Sequence, residues 1–561
     1  MTITTKFQLK TKNILFVDIE TNLSHDKIWI AVTKEFGSGD VKTWYKADGF
    51  REYCSSFDYL VAHNGITFDF PVLNRVWGTR IGLQPVLDTL VLSRLYNPSI
   101  EGGHSLRAWG ERLHFLKDAF TGDFDAGLTP EMEKYCIQDV EVLEMTFKYL
   151  VNRLEKMEFS EYSVVLEHEI AFTLHKQERH GFLFDLQKAM ILQCELSSKL
   201  ENILSVFTVK YPPKVQTRIS EKTGKPLKDK VTEFNPASRQ MIAEVLLEAG
   251  VKLTEKTEKG SWIIDETTLN GIDHPDAKLF VEYMLLQKRH SQIDSWIKAM
   301  KDDGRVHGKV ITNGAVTGRM THHSPNMAQV PSCSSPYGAE CRELWSVPKG
   351  FKLVGADASG LELRMLAHYM QDADYTDTVV NGDIHTKNQL AAGLQTRNQA
   401  KTFAYAFLYG AGDAKIGSIV NGSSTEGKKL KEQFLKSTPS LDSLLKKVQK
   451  IAKKGYLPAL DGRKVWIRSD HAALNSLLQS AGAIVMKQAL IILTKKIKLD
   501  KITAYFVANV HDEWQIEVDE QYADVVGKMA TDAIREAGEF FNMRCPLAGE
   551  YKVGSNWKET H

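Results

Sequence analysis

The sequence predicts a multidomain protein of α/β and α+β class. Three observations carry that expectation. The chain has 561 residues, too many for one hydrophobic core. Its first 150 residues alternate apolar strands with helical stretches, the pattern of an α/β domain. From about residue 305, strands such as FKLVGADASG mix with long helical runs.

The elements follow in order. NILFVDIE reads as a strand, and YLVAHNG as another that ends in a turn. EMEKYCIQDVEVLEMTFKYLVNRLEK reads as a helix, with TPE supplying a cap and an N1 proline. Residues 160–205 read as helical, broken at HGFLFD. Residues 211–233, YPPKVQTRISEKTGKPLKDKVTE, are polar, lysine-rich and interrupted by PP and TGKP, so they read as a loop. FNPASRQMIAEVLLEAG starts a capped helix, and residues 280–301, 397–409 and 471–495 read as further helices. Ile502–Val510 and Trp514–Val518 read as strands with HDE between them. Domains are expected at 1–150, 151–304 and 305–561.

Composition excludes several classes. Hydrophobic residues make up 43% and charged residues 25%, which argues against both disorder and a membrane-embedded chain. No uninterrupted apolar run reaches 18 residues, so no transmembrane helix is expected. The start, MTITTKFQLKTKN, shows no apolar leader region. The six cysteines form no CxxC and no zinc spacing, and are expected to be buried reduced thiols of a cytosolic protein. With 71 basic against 70 acidic residues, net charge does not decide for or against nucleic acid; local patches must.

The amino-terminal part carries an ordered set of acids. Asp18 and Glu20 lie two apart on an apolar strand and therefore share a face. Asn64 ends a strand and Asp69 follows. Tyr135 and Asp139 are four apart on a helix and also share a face. A DxE strand alone reads first as a surface ladder. Four carboxylates and a phenol over this span are harder to dismiss, because four acids can hold two divalent cations about 3.5–4 Å apart, which suits phosphodiester hydrolysis. The set DxE, NxxxxD, YxxxD resembles the DEDDy 3′–5′ exonucleases, the proofreading domains of DNA polymerases. That resemblance implies a ribonuclease H-like fold, with Asp18, Glu20, Asp69 and Asp139 as metal ligands and Tyr135 orienting water.

In the other half, AYFVANVHDEWQIEV places His511, Asp512 and Glu513 between two strands. Adjacent carboxylates repel; either the turn is simply solvated or a cation neutralises it. Asp357 ends an apolar strand, and Asp357 with Asp512 would make a two-carboxylate magnesium pair. In RNQAKTFAYAFLYGAG, Arg397, Lys401, Tyr405 and Tyr409 recur every four residues, one slightly spiralling stripe of two cations and two aromatics. Such a stripe suits a triphosphate at one end and a stacked base at the other, or an amphipathic helix with a solvated basic end.

DASGLELR, RNQAKTFAYAFLYG and VHDE resemble motifs A, B and C of family A DNA polymerases. NGAVTGRMTHHSPNMAQVPS, NGDIHTKNQ and LDGRKVWIRSDHAALNSLLQSAGA add further matches. The wording is similar to the T-seven-type branch of short-tailed bacteriophages. The resemblance implies a right hand of palm, fingers (about 385–470) and thumb, and a DNA polymerase with proofreading that serves phage replication in the bacterial cytoplasm. It implies Mg²⁺, two ions per site, with Mn²⁺ able to substitute. Asp357, Asp512 and the carbonyl of Ala358 would hold the polymerase pair, with Glu513 outside the ligand set. His385, Arg397 and Lys401 would contact the triphosphate and Tyr405 the sugar. Tyr409 would stack near the templating position and Glu362 would close the space beside C2′. Arg319, Asn475, Gln479 and His511 would touch the primer–template. The partners implied are primer–template DNA, dNTPs, a phage helicase–primase and a single-strand binding protein.

Two departures stand out. Ala406 occupies a position commonly glycine in the family. The long thumb insertion by which the T-seven branch captures thioredoxin is replaced here by residues 211–233, so thioredoxin is not expected as a partner. The basic residues of that segment (Lys214, Arg218, Lys222, Lys225, Lys228 and Lys230) would contact duplex phosphates or be solvated. The alternatives are a repair-type family A polymerase, a single-subunit RNA polymerase, and a nucleic-acid-binding protein with inactive sites. The last should have lost carboxylates, and every expected one is in place.

Overall fold

The computed structural model describes residues 12–81, 85–115, 120–220, 222 and 224–561. The opening segment, read as lacking a leader, lies almost wholly outside the described residues. Two sheets position the chemistry. The first has five strands in the order Val41–Trp44, Ile28–Glu35, Ile14–Thr21, Tyr59–Ala62, Val86–Asp88. The first three pair antiparallel and the last three parallel. Leu15 and Val17 pack on one face and Ile14 and Phe16 on the other, so this strand is apolar on both sides until it reaches Asp18. The helix Pro130–Lys156 packs across the second face, capped by Thr129, whose Oγ1 accepts the Met132 N–H at 3.2 Å.

That helix runs through residue 150, where a domain boundary is expected, because Phe147, Leu150 and Leu154 keep its apolar stripe buried for one more turn. Helix Glu161–His180 follows after a short break and touches both halves of the molecule. Helices Leu186–Lys210 and Pro275–Ala299 then form a packed pair. The segment expected to be a loop is an antiparallel hairpin, Lys214–Ile219 against Pro226–Thr232, solvent-exposed nearly throughout. Val215, Thr217 and Ile219 alternate with Lys214, Gln216 and Arg218, but the alternation is short and leaves no buried face, and the flanking breakers dominated its reading.

The second sheet is antiparallel, in the order Ala504–Val510, Glu513–Asp519, Phe351–Ala358, Gly549–Gly554. Helices Ala473–Leu499 and Ala523–Phe540 pack together, and the latter lies on the sheet. By length and composition the former could cross a membrane, but 78% of its most apolar stretch is buried inside the molecule. Four of the six cysteines are buried; Cys194 is exposed and Cys333 half-buried, so the expectation of a uniformly buried set does not hold. Cys194 sits on an amphipathic helix, facing away from the Leu192–Leu196–Leu200 stripe.

Candidate active sites

In the first sheet Asp18 and Glu20 leave one strand on the same face, as the period of two requires. Asp69, in the first turn of helix Asp69–Val76, and Asp139 on helix Pro130–Lys156 come to the same place. Burial, then Asp139, Asp69 and Glu20, push the Asp18 carboxyl well up from its ordinary value. Burial pushes Asp69 up to about 8. Residues that local patterning had not singled out complete the site. The Cys136 thiol donates to Asp18 Oδ2 at 3.4 Å, and Asp18, Glu20 and Cys136 form a group of metal-ligand geometry. Asp88 accepts the backbone N–H groups of Asn64 (2.8 Å) and Ile66 (3.2 Å) and so shapes the turn before Asp69; Asn64 itself has φ 66°. His168 anchors Asp88 in turn, its Nε2 accepting the Asp88 N–H at 2.8 Å while its Nδ1–H donates to the Val164 carbonyl. Tyr135 packs on Phe120 with ring centroids 5.8 Å apart and lines a cavity of about 430 Å³ with Lys134 and Gln138.

The second site lies at the open end of the antiparallel sheet. Asp357 stands directly opposite Glu513 in the register, and the Ala358 N–H donates to the Asp512 carbonyl at 3.2 Å. Strand pairing thus brings Asp357 to the turn 511–512. Glu513 is the first residue of a strand, not the tip of a hairpin, a correction forced by its pairing with Val510 and Asp357. Burial alone would raise its carboxyl, but hydrogen bonds from His561 (3.1 Å), Gln515 (2.6 Å) and Trp557 (2.6 Å) hold it below the usual range. Asp357, open to solvent on one side and walled by protein on the other, is pushed up to about 7 by desolvation, Asp512 and Glu513. Asp512 is raised by burial.

Around this pair stands a hydrogen-bonded wall. Glu362 accepts from Arg319 Nη2 at 3.1 Å and from the Tyr409 hydroxyl at 2.8 and 2.7 Å. The hydroxyl of Tyr409 is therefore committed to Glu362, while the residue as a whole stays 47% exposed. Helix Arg397–Leu408 starts from a Thr396–Gln399 capping box, and its stripe is present: Arg397 and Lys401 exposed, Tyr405 half-buried, and Tyr405 and Tyr409 with ring centroids 6.3 Å apart. Arg397 Nε donates to Asp383 Oδ2 at 2.7 Å, and Asp383 caps the helix that carries His385. Burial, then Arg397 and Lys401, lower His385. Asn475 and Gln479 are both half-buried, one turn apart on helix Ala473–Leu499. His511 is exposed, with φ 58°. Ala406 is half-buried beside the main core.

A family model described as DNA polymerase family A matches residues 209–559. The chain is 33% identical to a DNA-directed DNA polymerase of Enterobacteria phage T3, over 706 aligned positions that cover 98% of this chain and 100% of that one. It is likewise 33% identical to a DNA-directed DNA polymerase of Escherichia phage T7, covering 97% and 99%. Among solved structures it is similar to the POL domain of Pol1 from M. smegmatis in complex with DNA primer-template and dNTP. The TM-score there is 0.81 and the identity 19%, over 98% of this chain and 97% of that one.

Proposed function

The chain belongs to DNA polymerase family A, and from that membership we infer a DNA-directed DNA polymerase of replication with two separate active sites. Asp357 and Asp512 would carry nucleotidyl transfer. Asp18, Glu20, Asp69 and Asp139 would carry 3′–5′ removal of mispaired ends. The observation that carries the reading is the register that sets Asp357 beside Asp512, repeated in kind where Asp18 and Glu20 of the first sheet meet Asp69 and Asp139 of the helices beside it, a sheet whose strand order suits a ribonuclease H-like nuclease.

Both clusters fit divalent cations. The carboxyls of Asp18, Asp69, Asp357 and Asp512 are all held above their ordinary values, by burial first and then by neighbouring acids, a setting that a bound cation relieves. Asp357, Asp512 and the Ala358 carbonyl would hold ions at one site, and Asp18, Glu20, Asp69 and Asp139 at the other. Mg²⁺, or Mn²⁺ in its place, supplies when bound the missing positive charge and eases ionisation of the attacking hydroxyl or water.

The chain's own residues do the positioning. Arg397, Lys401 and His385 bind the triphosphate, Arg397 exchanging Asp383 for phosphate. Tyr405 lies one helical turn further on, at the sugar. Glu362, clamped by Arg319 and Tyr409, fills the space where a ribose would put its 2′-hydroxyl. Arg319, Asn475, Gln479 and His511 line the path of the primer–template. The exposed basic hairpin 211–233 is free to meet duplex phosphates. In this reading the enzyme serves phage replication in the bacterial cytoplasm with a helicase–primase and a single-strand binding protein, and without thioredoxin. Primer extension by the purified chain with Mg²⁺, with and without dNTPs, tests it. Extension with dNTPs and shortening without them are expected. Extension without any shortening would remove the nuclease half of the reading.

A further inference from the structure

Behind the polymerase site lies a group of four charges that the reaction as derived does not use. Glu167 and Asp461 are 0% exposed, Lys487 is 1% and Arg463 is 2%. They come from helix Glu161–His180, the turn between strands Tyr456–Pro458 and Lys464–Trp466, and helix Ala473–Leu499. Burying four charges is costly unless each is paired, and here each is. Arg463 donates from Nε to Asp461 at 2.8 Å and lies 2.5 Å from Glu167 through Nη1. Lys487 Nζ donates to Glu167 Oε1 at 2.6 Å.

Arg463 is shared between Asp461 and Glu167, so Lys487 supplies the second positive charge that makes the cluster neutral, but neutrality does not use all of its hydrogen-bonding capacity. Its distinctive contact is another one: Nζ donates to the carbonyl of Gly318 at 2.8 Å. Gly318 immediately precedes Arg319. The two lie in a tight turn, closed by Gly318 N–H to the Ala315 carbonyl (2.9 Å) and Ala315 N–H to the Arg319 carbonyl (3.2 Å). Gly318 has φ 78°, and a Cβ there would come within 3.3 Å of both Arg463 Nη1 and Asn313 Oδ1. The turn is thus pressed against the charge cluster, with glycine required for the fit. Lys487 and Arg319 also line one narrow cleft with His511 and Asp512. Its volume is about 30 Å³, room for about one water.

We propose that Lys487 is a positioning residue for nucleotidyl transfer. Through the Gly318 carbonyl it fixes the turn that presents Arg319 to Glu362 and to the Asp357–Asp512 pair. Lys487 touches neither substrate nor reacting atoms; it acts through Arg319. A purely structural lysine would lower stability without a specific energetic link to Arg319. A positioning lysine must be coupled to it.

The test is a double-mutant cycle on the full chain, read as kcat/KM for single dNTP addition to a primer with a nuclease-resistant phosphorothioate 3′ linkage. Lys487→Met should lower kcat/KM by about tenfold or more, the scale of one lost charge-assisted hydrogen bond. Arg319→Ala should lower it as well. The double variant should be no worse than Arg319→Ala alone within about threefold, because the residue through which Lys487 acts is gone. A parallel cycle with Lys401→Ala, on helix Arg397–Leu408, should instead be multiplicative. If Lys487→Met fails to fold, the same cycles are run with Lys487→Arg, which keeps the cluster neutral but moves the donor from the Gly318 carbonyl. A single variant with unchanged kcat/KM, or losses that multiply with Arg319→Ala, would overturn the proposal.

Discussion

Removing one hydroxyl, by Tyr409→Phe, tests whether the Glu362 wall is what excludes ribonucleotides. The hydroxyl stands 2.8 and 2.7 Å from the two oxygens of Glu362. A hydrogen bond to a charged group is worth roughly 1.5–3 kcal/mol. Tyr409 is 47% exposed, so water partly replaces the lost donor, and the lower end, about 1.5 kcal/mol, applies. Arg319 still holds one oxygen at 3.1 Å, so Glu362 is loosened rather than released. The ratio of kcat/KM for an rNTP to that for the matching dNTP should rise by no more than about tenfold. Glu362→Ala opens the wall entirely and should raise the ratio further, on the order of 10–200-fold, the range for an altered packing volume in a pocket. The assay is single-nucleotide addition to a phosphorothioate-ended primer. A ratio unchanged by Glu362→Ala places the gate elsewhere. A ratio relaxed by Glu362→Ala but untouched by Tyr409→Phe refutes the role of the clamp.

The two sites should be separable: Asp357→Ala or Asp512→Ala should abolish extension while primer shortening continues, and Asp18→Ala with Glu20→Ala should do the reverse, as gel-resolved primer lengths will show. Tyr405→Phe should lower ddNTP use relative to dNTP by about tenfold, the value of one phenolic hydrogen bond at the sugar; an unchanged ratio would mean that the hydroxyl does not reach it. A stable interface buries about 800 Å² and uses on the order of 20–30 residues per partner, so the short hairpin 211–233 could supply one only with essentially every residue in contact, and product length on a long singly primed template should be the same with and without thioredoxin. Stability should depend on pH in a defined direction. Asp69 titrates at about 8 in the fold against 3.8 unfolded, so the stability it contributes is complete below about pH 4 and is lost as pH rises through about 8. In chelator, wild-type Tm should therefore fall over that range relative to Asp69→Asn, and added Mg²⁺ should raise Tm more near pH 8 than near pH 5. Parallel Tm curves for the two proteins would contradict this.

The legible part of the sites was local. Asp18 with Glu20, Tyr135 with Asp139, and the Arg397–Lys401–Tyr405–Tyr409 stripe sit at intervals that backbone geometry alone converts into shared faces. Even there, partners were hidden. Cys136 lies beside Tyr135 in the sequence, but nothing short of the packed helix shows its thiol on Asp18. Glu513 looked like half of a turn because its anchors, Trp557 and His561, are more than forty residues away. The hairpin 211–233 escaped because an exposed ribbon needs no apolar alternation, while its prolines and glycine give a strong loop signal.

By itself the sequence pointed to the mixed α/β class, to the strands and helices that bear the paired acids, and to which carboxylates gather in the fold. These rest on periodicity and capping, which are properties of residues near one another in the chain. Only the tertiary structure decided which charges neutralise which. Glu167 is neutralised by Lys487 across 320 positions, whereas strand register sets Asp357 opposite another acid, Glu513. A buried charge is tolerable only beside its partner, and the fold, by closing these distances, makes one set of acids into anchors and leaves another short of positive charge at its open edge.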